Sequence, residues 1–365
     1  MRSSRVVALI LPPLLACGVA RAGHYERRDL TSDDPTVLPA PHTDPNLKNA
    51  WGLAASPTGP WWVADNGTGL STLYDDDGAP QLLVVSVPGA NGPASPTGLV
   101  FNDTGKFWVS DDQGHVGSAL FIFASEDGTI SGWSPAVPPP APSTQAQLAV
   151  DNSADDAVYK GLALARTHHG EPRLYATDFH NNKIDVFDEN FDAVCTHGRF
   201  VDDDLPDGYA PFGIHNIGGR LFVTYALQDA DAHDDVKGPG HGFVDEFDAE
   251  GVLLRRVASG GALDSPWGVA RAPDRFGRFS DDLLIGNFGD GVINAYEFRA
   301  RGPLRHEGAL RDERGAVIAV DGLWSIEFGN GGAAGPRHTL FFTAGPFGEA
   351  DGLFGSIRAE HGRDR

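Results

Sequence analysis

The sequence predicts an all-β protein: a six-bladed β-propeller with four-stranded blades, closed by an N-terminal strand that completes the last blade. Two observations support this. A short opening motif recurs six times at intervals of 46, 63, 52, 55 and 57 residues, and such periods are typical of propellers and long solenoids. Each copy is followed by runs of β-branched and aromatic residues between turn-prone residues, which indicates short strands.

The opening motif has a small residue, glycine in five copies, at its second position. The copies are Trp51-Gly52-Leu53-Ala54, Thr97-Gly98-Leu99-Val100, Lys160-Gly161-Leu162-Ala163, Phe212-Gly213-Ile214-His215, Trp267-Gly268-Val269-Ala270 and Trp324-Ser325-Ile326-Glu327. We expect each motif to begin the inner strand of a blade. Helical repeats would need an apolar period of about 3.6 residues, which these segments lack.

The next two strands of each blade are predicted from the aromatic runs that follow. The second strands are expected to end at Asp65, Asp111, Asp178, Tyr225, Asn287 and Ala344. The third strands are expected to end near Tyr74, Phe123, Phe187, Phe247, Tyr296 and Phe354. The clearest hairpin joins residues 174–178 to residues 183–188 through Phe179-His180-Asn181-Asn182. Residues 135–156 are rich in Pro, Ala and Ser and are expected to form a surface loop.

The last repeat predicts how the ring closes. Residues 323–358 provide three strands, and residues 359–365 form a polar tail. A fourth strand must come from elsewhere, and residues 25–31 are available to pair with the exposed edge. Residues 23–358 are therefore expected to form a single propeller domain.

Residues 1–22 are typical of an export signal. Arg2 and Arg5 precede an apolar run over residues 6–16 that is too short to span a bilayer. Ala20-Arg21-Ala22 fits a signal-peptidase site, whereas the residues around Cys17 partly match a lipobox. Cleavage by signal peptidase after Ala22 is favoured, because leucine is unusual two positions before a lipidated cysteine. We expect an exported protein, periplasmic or extracellular, with lipid anchoring through Cys17 as the alternative.

Composition narrows the classes of partner. The 365-residue chain has a net charge of −22, which opposes binding to nucleic acid and to anionic lipid surfaces. Two cysteines leave no disulfide framework, and Cys195 is expected to be a core thiol. The adjacent pair His168-His169 would point to opposite sides of a strand and is a weak metal site.

Candidate binding residues lie at the starts of the inner strands, where they could surround the mouth of a central channel: Trp51, Lys160, Phe212, His215, Trp267 and Trp324. They could form an aromatic-walled pocket for a sugar, a lactone or a peptide side chain, with Lys160 and His215 as its polar groups. Alternatively, the rings pack between adjacent blades.

Two sets of oxygen ligands are candidates for a cation. The first is the strand-end set, Asp65, Asp111, Asp178 and Asn287, which would suit Ca²⁺ if it converges on the axis. The second is the acidic loop, residues 226–242, which contains Asp229, Asp231, Asp234 and Asp235. Strand-end carboxylates also cap turns, and the acidic loop could simply be solvated. Ca²⁺ is the candidate cofactor, although no motif requires one.

Several motifs together resemble an uncharacterised family of exported bacterial proteins, some of which carry a C-terminal PEP-CTERM sorting signal. They include Asn49-Ala50-Trp51-Gly52-Leu53-Ala54, Gln228-Asp229-Ala230-Asp231, Gly286-Asn287-Phe288-Gly289-Asp290-Gly291 and Phe341-Phe342-Thr343-Ala344-Gly345-Pro346. The resemblance implies a propeller similar to NHL-repeat and gluconolactonase-like propellers. It implies no activity, because none is established for the family. The sequence ends in polar residues, so the PEP-CTERM route is not implied.

Two functions follow from the sequence. The first is a non-catalytic exported scaffold that binds a protein, a glycan or an envelope component. The alternative is a Ca²⁺-assisted hydrolase of the lactonase or esterase type, with its site at the channel mouth. The sequence contains no Gly-x-Ser-x-Gly, Cys-x-x-Cys or His-Glu-x-x-His motif and no phosphate loop. No catalytic residue is therefore assigned.

Overall fold

The computed structural model of the protein describes residues 23–299 and 301–360. Six main sheets of antiparallel strands surround a central axis, and the inner strand of each sheet packs against the inner strands of its two neighbours. The predicted six-bladed β-propeller is therefore confirmed. The predicted export signal, residues 1–22 with Cys17, and the end of the polar tail, residues 361–365, lie outside the described residues.

Blades 1 to 3 occupy the first half of the ring, and their strands are given in order from the axis outward. Blade 1 contains Ala50–Ala55, Trp61–Asp65, Leu70–Tyr74 and Val85–Ser86. Blade 2 contains Pro96–Phe101, Phe121–Ser125, Thr129–Trp133 and Gln147–Asp151. Blade 3 contains Tyr159–Arg166, Pro172–Asp178 and Lys183–Phe187, with a bridge between Phe187 and Ala193 in place of a fourth strand.

Blades 4 to 6 complete the ring. Blade 4 contains Tyr209–Ile217, Arg220–Leu227, Phe243–Phe247 and Leu253–Ser259. Blade 5 contains Pro266–Arg271, Leu283–Asn287, Ile293–Glu297 and Arg305–Ala309. Blade 6 contains Leu323–Phe328, Thr339–Ala344, Leu353–Ala359 and the N-terminal strand Tyr25–Ser32, which His42–Thr43 extends in parallel.

The remaining elements are short. Pro88–Gly89 pairs with Gly92–Pro93, and Trp108–Ser110 pairs with Val116–Ser118. The helical turns are Ser153–Asp155, Gly277–Phe279 and Pro346–Glu349. Within the described residues, no helix combines the length and the apolar character that a membrane crossing needs.

The N-terminal strand closes the ring as predicted. Tyr25–Ser32 runs antiparallel to Leu353–Ala359, with Tyr25 opposite Ala359 and Ser32 opposite Leu353. Tyr25 is 1% exposed, and its hydroxyl donates to the Phe276 carbonyl oxygen at 3.0 Å. The closing strand is therefore fixed both to its own blade and to blade 5.

Blade 2 differs from the prediction. The run that was expected to end its second strand at Asp111 forms an inserted hairpin instead, and the true second strand is Phe121–Ser125. The prediction that Phe123 ends the third strand is therefore also wrong. Residues 135–156, expected to be a surface loop, contain the fourth strand, Gln147–Asp151. The hairpin has the same aromatic-then-turn pattern as a blade, so local sequence does not distinguish them.

The motif glycines lie where neighbouring inner strands approach closely. A Cβ atom on Gly98 would lie 2.3 Å from the backbone nitrogen of Leu162, and one on Gly268 would lie 2.7 Å from the carbonyl oxygen of Trp324. At these two positions the backbone of the next blade leaves no room for a side chain. The close approach of neighbouring inner strands therefore explains why the second position of the motif carries a small residue.

Apolar side chains fill the spaces between blades. In the described part of the chain, six clusters lie between neighbouring blades and a seventh lies on the axis. Each sheet therefore buries both of its faces, which a single hairpin repeat could not do alone. The seventh cluster positions the candidate site.

Candidate functional site

An aromatic plug fills the axis at the starts of the inner strands. We define it by the buried residues Trp51, Phe179, Ala210, Phe212, Ala226, Trp267, Phe288 and Trp324. The Trp324 ring stacks on Trp51 with centroids 3.4 Å apart and on Phe288 with centroids 3.8 Å apart. None of the four predicted mouth aromatics is more than 3% exposed. The structure brings them together, but as a packed core rather than as an open wall.

Hydrogen bonds fix the orientation of the plug. Trp324 Nε1 donates to Asn49 Oδ1 and Trp267 Nε1 donates to the Lys160 carbonyl oxygen, each at 3.1 Å. Asn49 Nδ2 in turn donates to Glu349 Oε2 at 2.7 Å. Tryptophan N–H groups removed from water usually need such partners. Hydrogen bonds therefore connect the plug to a polar layer that covers it, which we define by Asn49, Glu126, Lys160, Asp234 and Glu349.

Lys160 is the centre of this polar layer. It is 1% exposed, and its Nζ lies 2.5 Å from Glu126 Oε1 and 3.2 Å from Asp234 Oδ1. Nζ also lies 5.3 Å from the centre of the Trp51 ring. Burial lowers the pKa of Lys160, but the two carboxylates more than offset that effect, so its pKa is raised. Lys160 therefore carries a full positive charge at neutral pH.

The acidic loop faces this internal cation. Asp229 accepts hydrogen bonds from the backbone N–H groups of His233 and Asp234 and so caps its own turn. Asp231 is exposed. Asp234 pairs with Lys160, while burial raises the pKa of Asp235.

One group in the described part of the chain already has a geometry suited to a cation. Ligand atoms of Glu126, His233 and Asp234 all lie within 4.8 Å of one another. The Lys160 ammonium pairs with two of these three residues. A Ca²⁺ ion would have to displace that ammonium, so the residues present do not fit Ca²⁺ at this position.

The strand-end set does not form a single site. Asp65, Asp178 and Asn287 end the second strands of blades 1, 3 and 5, whereas Asp111 lies in the inserted hairpin. Asp178 accepts from the backbone N–H groups of Val158 and Asn181, which closes local turns. None of the four belongs to the group of ligand atoms found near Lys160 in the described residues.

Asp65 is unusual within this set. It is fully buried, and among the described residues only Thr72 offers hydrogen-bonding groups to its carboxyl, in poor geometry. Burial raises its pKa well above the usual value. This shift favours the protonated, neutral form of Asp65, which is a poorer cation ligand than a carboxylate.

An axial cavity of about 760 Å³ lies on the other side of the plug. It extends along the later parts of the inner strands to the loops between first and second strands. Its lining includes Ala54, Val100, Arg166, His215, Ala270 and Glu327. This cavity, and not the mouth predicted from the aromatic residues, offers space for a ligand.

His215 is the predicted polar group that the structure places in this cavity. Its Nε2 lies 2.9 Å from the Trp267 carbonyl oxygen. Because a carbonyl only accepts, Nε2 carries the proton and Nδ1 is left as an acceptor. Burial lowers the pKa of His215 to about 4, so the ring is neutral at pH 7.

Glu327 lines the same cavity. Burial raises the pKa of its carboxyl to about 7, partly opposed by a hydrogen bond from the Phe328 backbone N–H. Near neutral pH the group therefore exists in both protonation states. It can both donate and accept a proton, which is the property required of a general acid–base group.

His215 was predicted from the sequence and Glu327 was not, although the opening motif contains a signal for both. Both residues occupy the fourth position of the opening motif. The other four copies carry small apolar residues there, namely Ala54, Val100, Ala163 and Ala270. A titratable side chain at a position otherwise kept small and apolar marks the lining of the cavity.

The fold and its axial cavity define a six-bladed β-propeller, and solved structures agree. The chain is similar to virginiamycin B lyase from Staphylococcus aureus, with a TM-score of 0.50, 10% identity and coverage of 92% of this chain and 99% of that one. It is also similar to a glucose dehydrogenase, with a TM-score of 0.51, 13% identity and coverage of 92% and 99%. A putative gluconolactonase has a TM-score of 0.40. At these identities the first two show the fold alone.

Sequence comparison shows the family. The chain is 34% identical over 328 residues to uncharacterized protein R648 of Acanthamoeba polyphaga mimivirus, covering 87% of this chain and 76% of the relative. It is 33% identical over 333 residues to protein L690 of the same virus, covering 87% and 82%. The chain belongs to the family of these uncharacterised proteins. No family model matches it. These relatives are viral and lend no support to the predicted link with exported bacterial proteins.

Proposed function

We propose that the protein is a ligand-binding propeller that holds a small polar molecule in the axial cavity. The observation that carries this proposal is a cavity of about 760 Å³ lined by His215 and Glu327. Pockets for small molecules typically measure roughly 300–1,000 Å³, and titratable groups with shifted pKa values in a cavity mark candidate sites. This proposal differs from the scaffold expected from the sequence, which would bind a protein, a glycan or an envelope component, because the ligand here is a small molecule in the axial cavity.

The lining favours an uncharged ligand with hydroxyl or carbonyl groups. Its charged side chains are of both signs, so neither sign dominates: Arg166 lies 3.6 Å from Asp103, and Arg271 lies 4.3 Å from the Phe298 ring centre. Two of its polar groups, beside Thr104, Asn216 and Asn330, are the Nδ1 acceptor of His215 and the carboxyl of Glu327. Both suit the hydrogen-bonding groups of a neutral sugar or a sugar lactone.

Hydrolysis of a lactone or ester is the second candidate function. The observation in its favour is the Glu327 pKa of about 7, which matches a general acid–base group working at neutral pH. For this function the active site would lie in the axial cavity, and Glu327 would be the general acid–base group that transfers a proton during hydrolysis. The Ca²⁺-assisted variant at the channel mouth is less favoured, because Lys160 already neutralises the carboxylates there.

Calorimetry with neutral sugars and aldonolactones tests the proposal. We expect at least one of these ligands to bind, and Glu327→Gln and His215→Ala to weaken it by about tenfold or more, since each removes a polar group. Glu313→Gln, an exposed glutamate, is the matched control. Unchanged affinity in both cavity variants, or no binding across the panel, would contradict the proposal. Lactone turnover that Glu327→Gln abolishes would favour the hydrolase.

We also propose that the protein is exported. The basic start, short apolar run and Ala20-Arg21-Ala22 site support this. Mass spectrometry of protein secreted from an expressing bacterium should give a mature chain that begins at Gly23. A lipid-modified chain beginning at Cys17 would favour the anchored alternative, and an uncleaved chain retained in the cytoplasm would contradict export.

A further inference from the structure

A second cavity, of about 180 Å³, lies on the rim between blades 3 and 4, away from the axial site. Its lining includes three imidazoles, a thiol and a carboxylate, from His168, His169, Cys195, His197 and Glu250. Cys195 was expected to be a core thiol, and that prediction is wrong, because the residue is exposed. Thiolate and imidazole together are typical ligands of zinc and similar borderline metals.

Three backbone segments bring these side chains together. They are the turn at residues 167–170, the segment at residues 193–198 and the turn at residues 248–251. The His168 backbone N–H donates to Glu250 Oε1 at 2.8 Å, and the Gly198 N–H donates to the Glu250 carbonyl oxygen at 2.9 Å. A Cβ atom on Gly198 would lie 2.1 Å from the Gly251 carbonyl carbon. The segment at residues 193–198 is therefore in backbone contact with the turn at residues 248–251, and the Glu250 side chain connects the turn at residues 167–170 to both.

Glu250 orients one of the imidazoles. His168 Nδ1 lies 2.5 Å from Glu250 Oε1, and because a carboxylate accepts, Nδ1 carries the proton and Nε2 is left with its lone pair. A carboxylate behind a histidine in this way is the usual outer-shell partner of a metal-binding imidazole. The His168 and His169 rings lie 3.8 Å apart in a turn, not on opposite sides of a strand.

The side chains are free to gather around an ion. Cys195, His168, His169 and His197 are all exposed. In the described part of the chain, the group of ligand atoms within 4.8 Å of one another is the one near Lys160. A metal ion at the rim would therefore require the exposed side chains there to rotate towards it.

We propose that this rim cavity binds a zinc-class divalent metal ion through Cys195 Sγ, the His197 ring and His168 Nε2. Glu250 holds His168 in the required tautomer, and water completes the coordination. Binding converts the Cys195 thiol to a thiolate and releases its proton to solvent, so affinity falls as pH falls. The ligand distances expected are about 2.3 Å for sulfur and about 2.0–2.1 Å for nitrogen.

Titration of the purified protein with Zn²⁺ against a chromophoric chelator tests the site. We expect about one ion per chain, and replacement by Co²⁺ should give a thiolate-to-metal absorption band. Cys195→Ser should abolish that band and weaken Zn²⁺ binding by about tenfold or more, and His197→Ala should weaken binding to a similar extent. His338→Ala removes an exposed histidine of blade 6 and should leave binding unchanged.

The outcomes distinguish the rim cavity from the group of ligand atoms near Lys160 as the place where Zn²⁺ binds. Zn²⁺ binding that survives Cys195→Ser but is lost in His233→Ala would place the ion near Lys160 and overturn the proposal, as would the absence of any binding to the wild-type protein. The four substituted side chains are exposed. Unchanged thermal unfolding of each variant without metal would show that lost binding is not lost folding.

Discussion

The Lys160 ammonium lies 2.5 Å from a carboxylate oxygen of Glu126, and the two side chains are only 2% and 16% exposed. The pair connects the inner strand of blade 3 to the turn that follows the second strand of blade 2. Burial of a charge is unfavourable unless a partner compensates for it. Each member of the pair therefore depends on the other, and the polar layer over the plug depends on both.

Replacing Lys160 should destabilise the protein strongly. Lys160→Met leaves the Glu126 carboxylate without its cation, and loss of one partner of a buried pair costs roughly 3–5 kcal/mol. Urea denaturation measures the change in the free energy of unfolding. Lys106→Met is the control, because Lys106 pairs with Glu189 at 3.2 Å but is 52% exposed. An exposed pair contributes about 0–1 kcal/mol.

The double variant Lys160→Met, Glu126→Gln should recover part of the stability lost in Lys160→Met. It removes the unpaired charge together with the lysine, although Asp234 still loses a partner. Equal losses for Lys160→Met and Lys106→Met would mean that the buried pair does not stabilise the propeller.

The fold could be predicted because its signals are local and repeated. Six copies of one motif predicted the number of blades. The last repeat, which has too few strands, predicted that residues 25–31 close the ring. The error at Asp111 has a physical cause. Strand propensity and turn residues look the same in an inserted hairpin and in a blade, and only pairing across the sheet separates them.

The site was only partly predictable. The motif identified Trp51, Trp267 and Trp324 as axial, and the structure places them on the axis. Whether such rings line an opening or fill it depends on packing among blades far apart in sequence. The rim cavity depends on the same kind of contact, since Cys195 and Glu250 lie on different blades and no single segment contains the pattern.

The stability of the protein should depend on pH through two opposing groups of the axial cavity. The pKa of Glu327 is raised from 4.5 to about 7, so the folded state binds the extra proton and stability falls as pH rises through this range. The pKa of His215 is lowered from 6.5 to about 4, so the unfolded state binds the extra proton and stability rises with pH from about 4 to 6.5.

Single variants should separate these contributions. Relative to the wild type, Glu327→Gln should gain stability as pH rises from 4.5 to 7, because it loses the penalty of ionising a half-buried carboxyl inside the cavity. His215→Gln should gain stability relative to the wild type as pH falls from 6.5 to 4. Denaturation at several pH values gives both differences. Glu313→Gln, which is exposed, should show a flat difference, and a flat difference for Glu327→Gln would contradict the assigned shift.

The closing strand gives the last prediction, because Tyr25 joins it to blade 5. The Tyr25 hydroxyl donates to the Phe276 carbonyl and accepts from the Phe279 N–H, at 3.0 and 3.1 Å. Tyr25→Phe leaves these groups unsatisfied and should cost about 1–3 kcal/mol. Tyr25→Ala also removes the buried ring, and loss of a buried aromatic ring costs about 3–5 kcal/mol.

Thermal and urea unfolding of both variants, together with Arg28→Ala, measure this effect. Arg28 lies on the same strand, its side chain is 53% exposed, and its loss should change the free energy of unfolding by less than about 1 kcal/mol. If the ring were closed mainly by backbone pairing with Leu353–Ala359, Tyr25→Ala would cost no more than Arg28→Ala. A larger loss would show that the contact with blade 5 is what holds the closing strand in place.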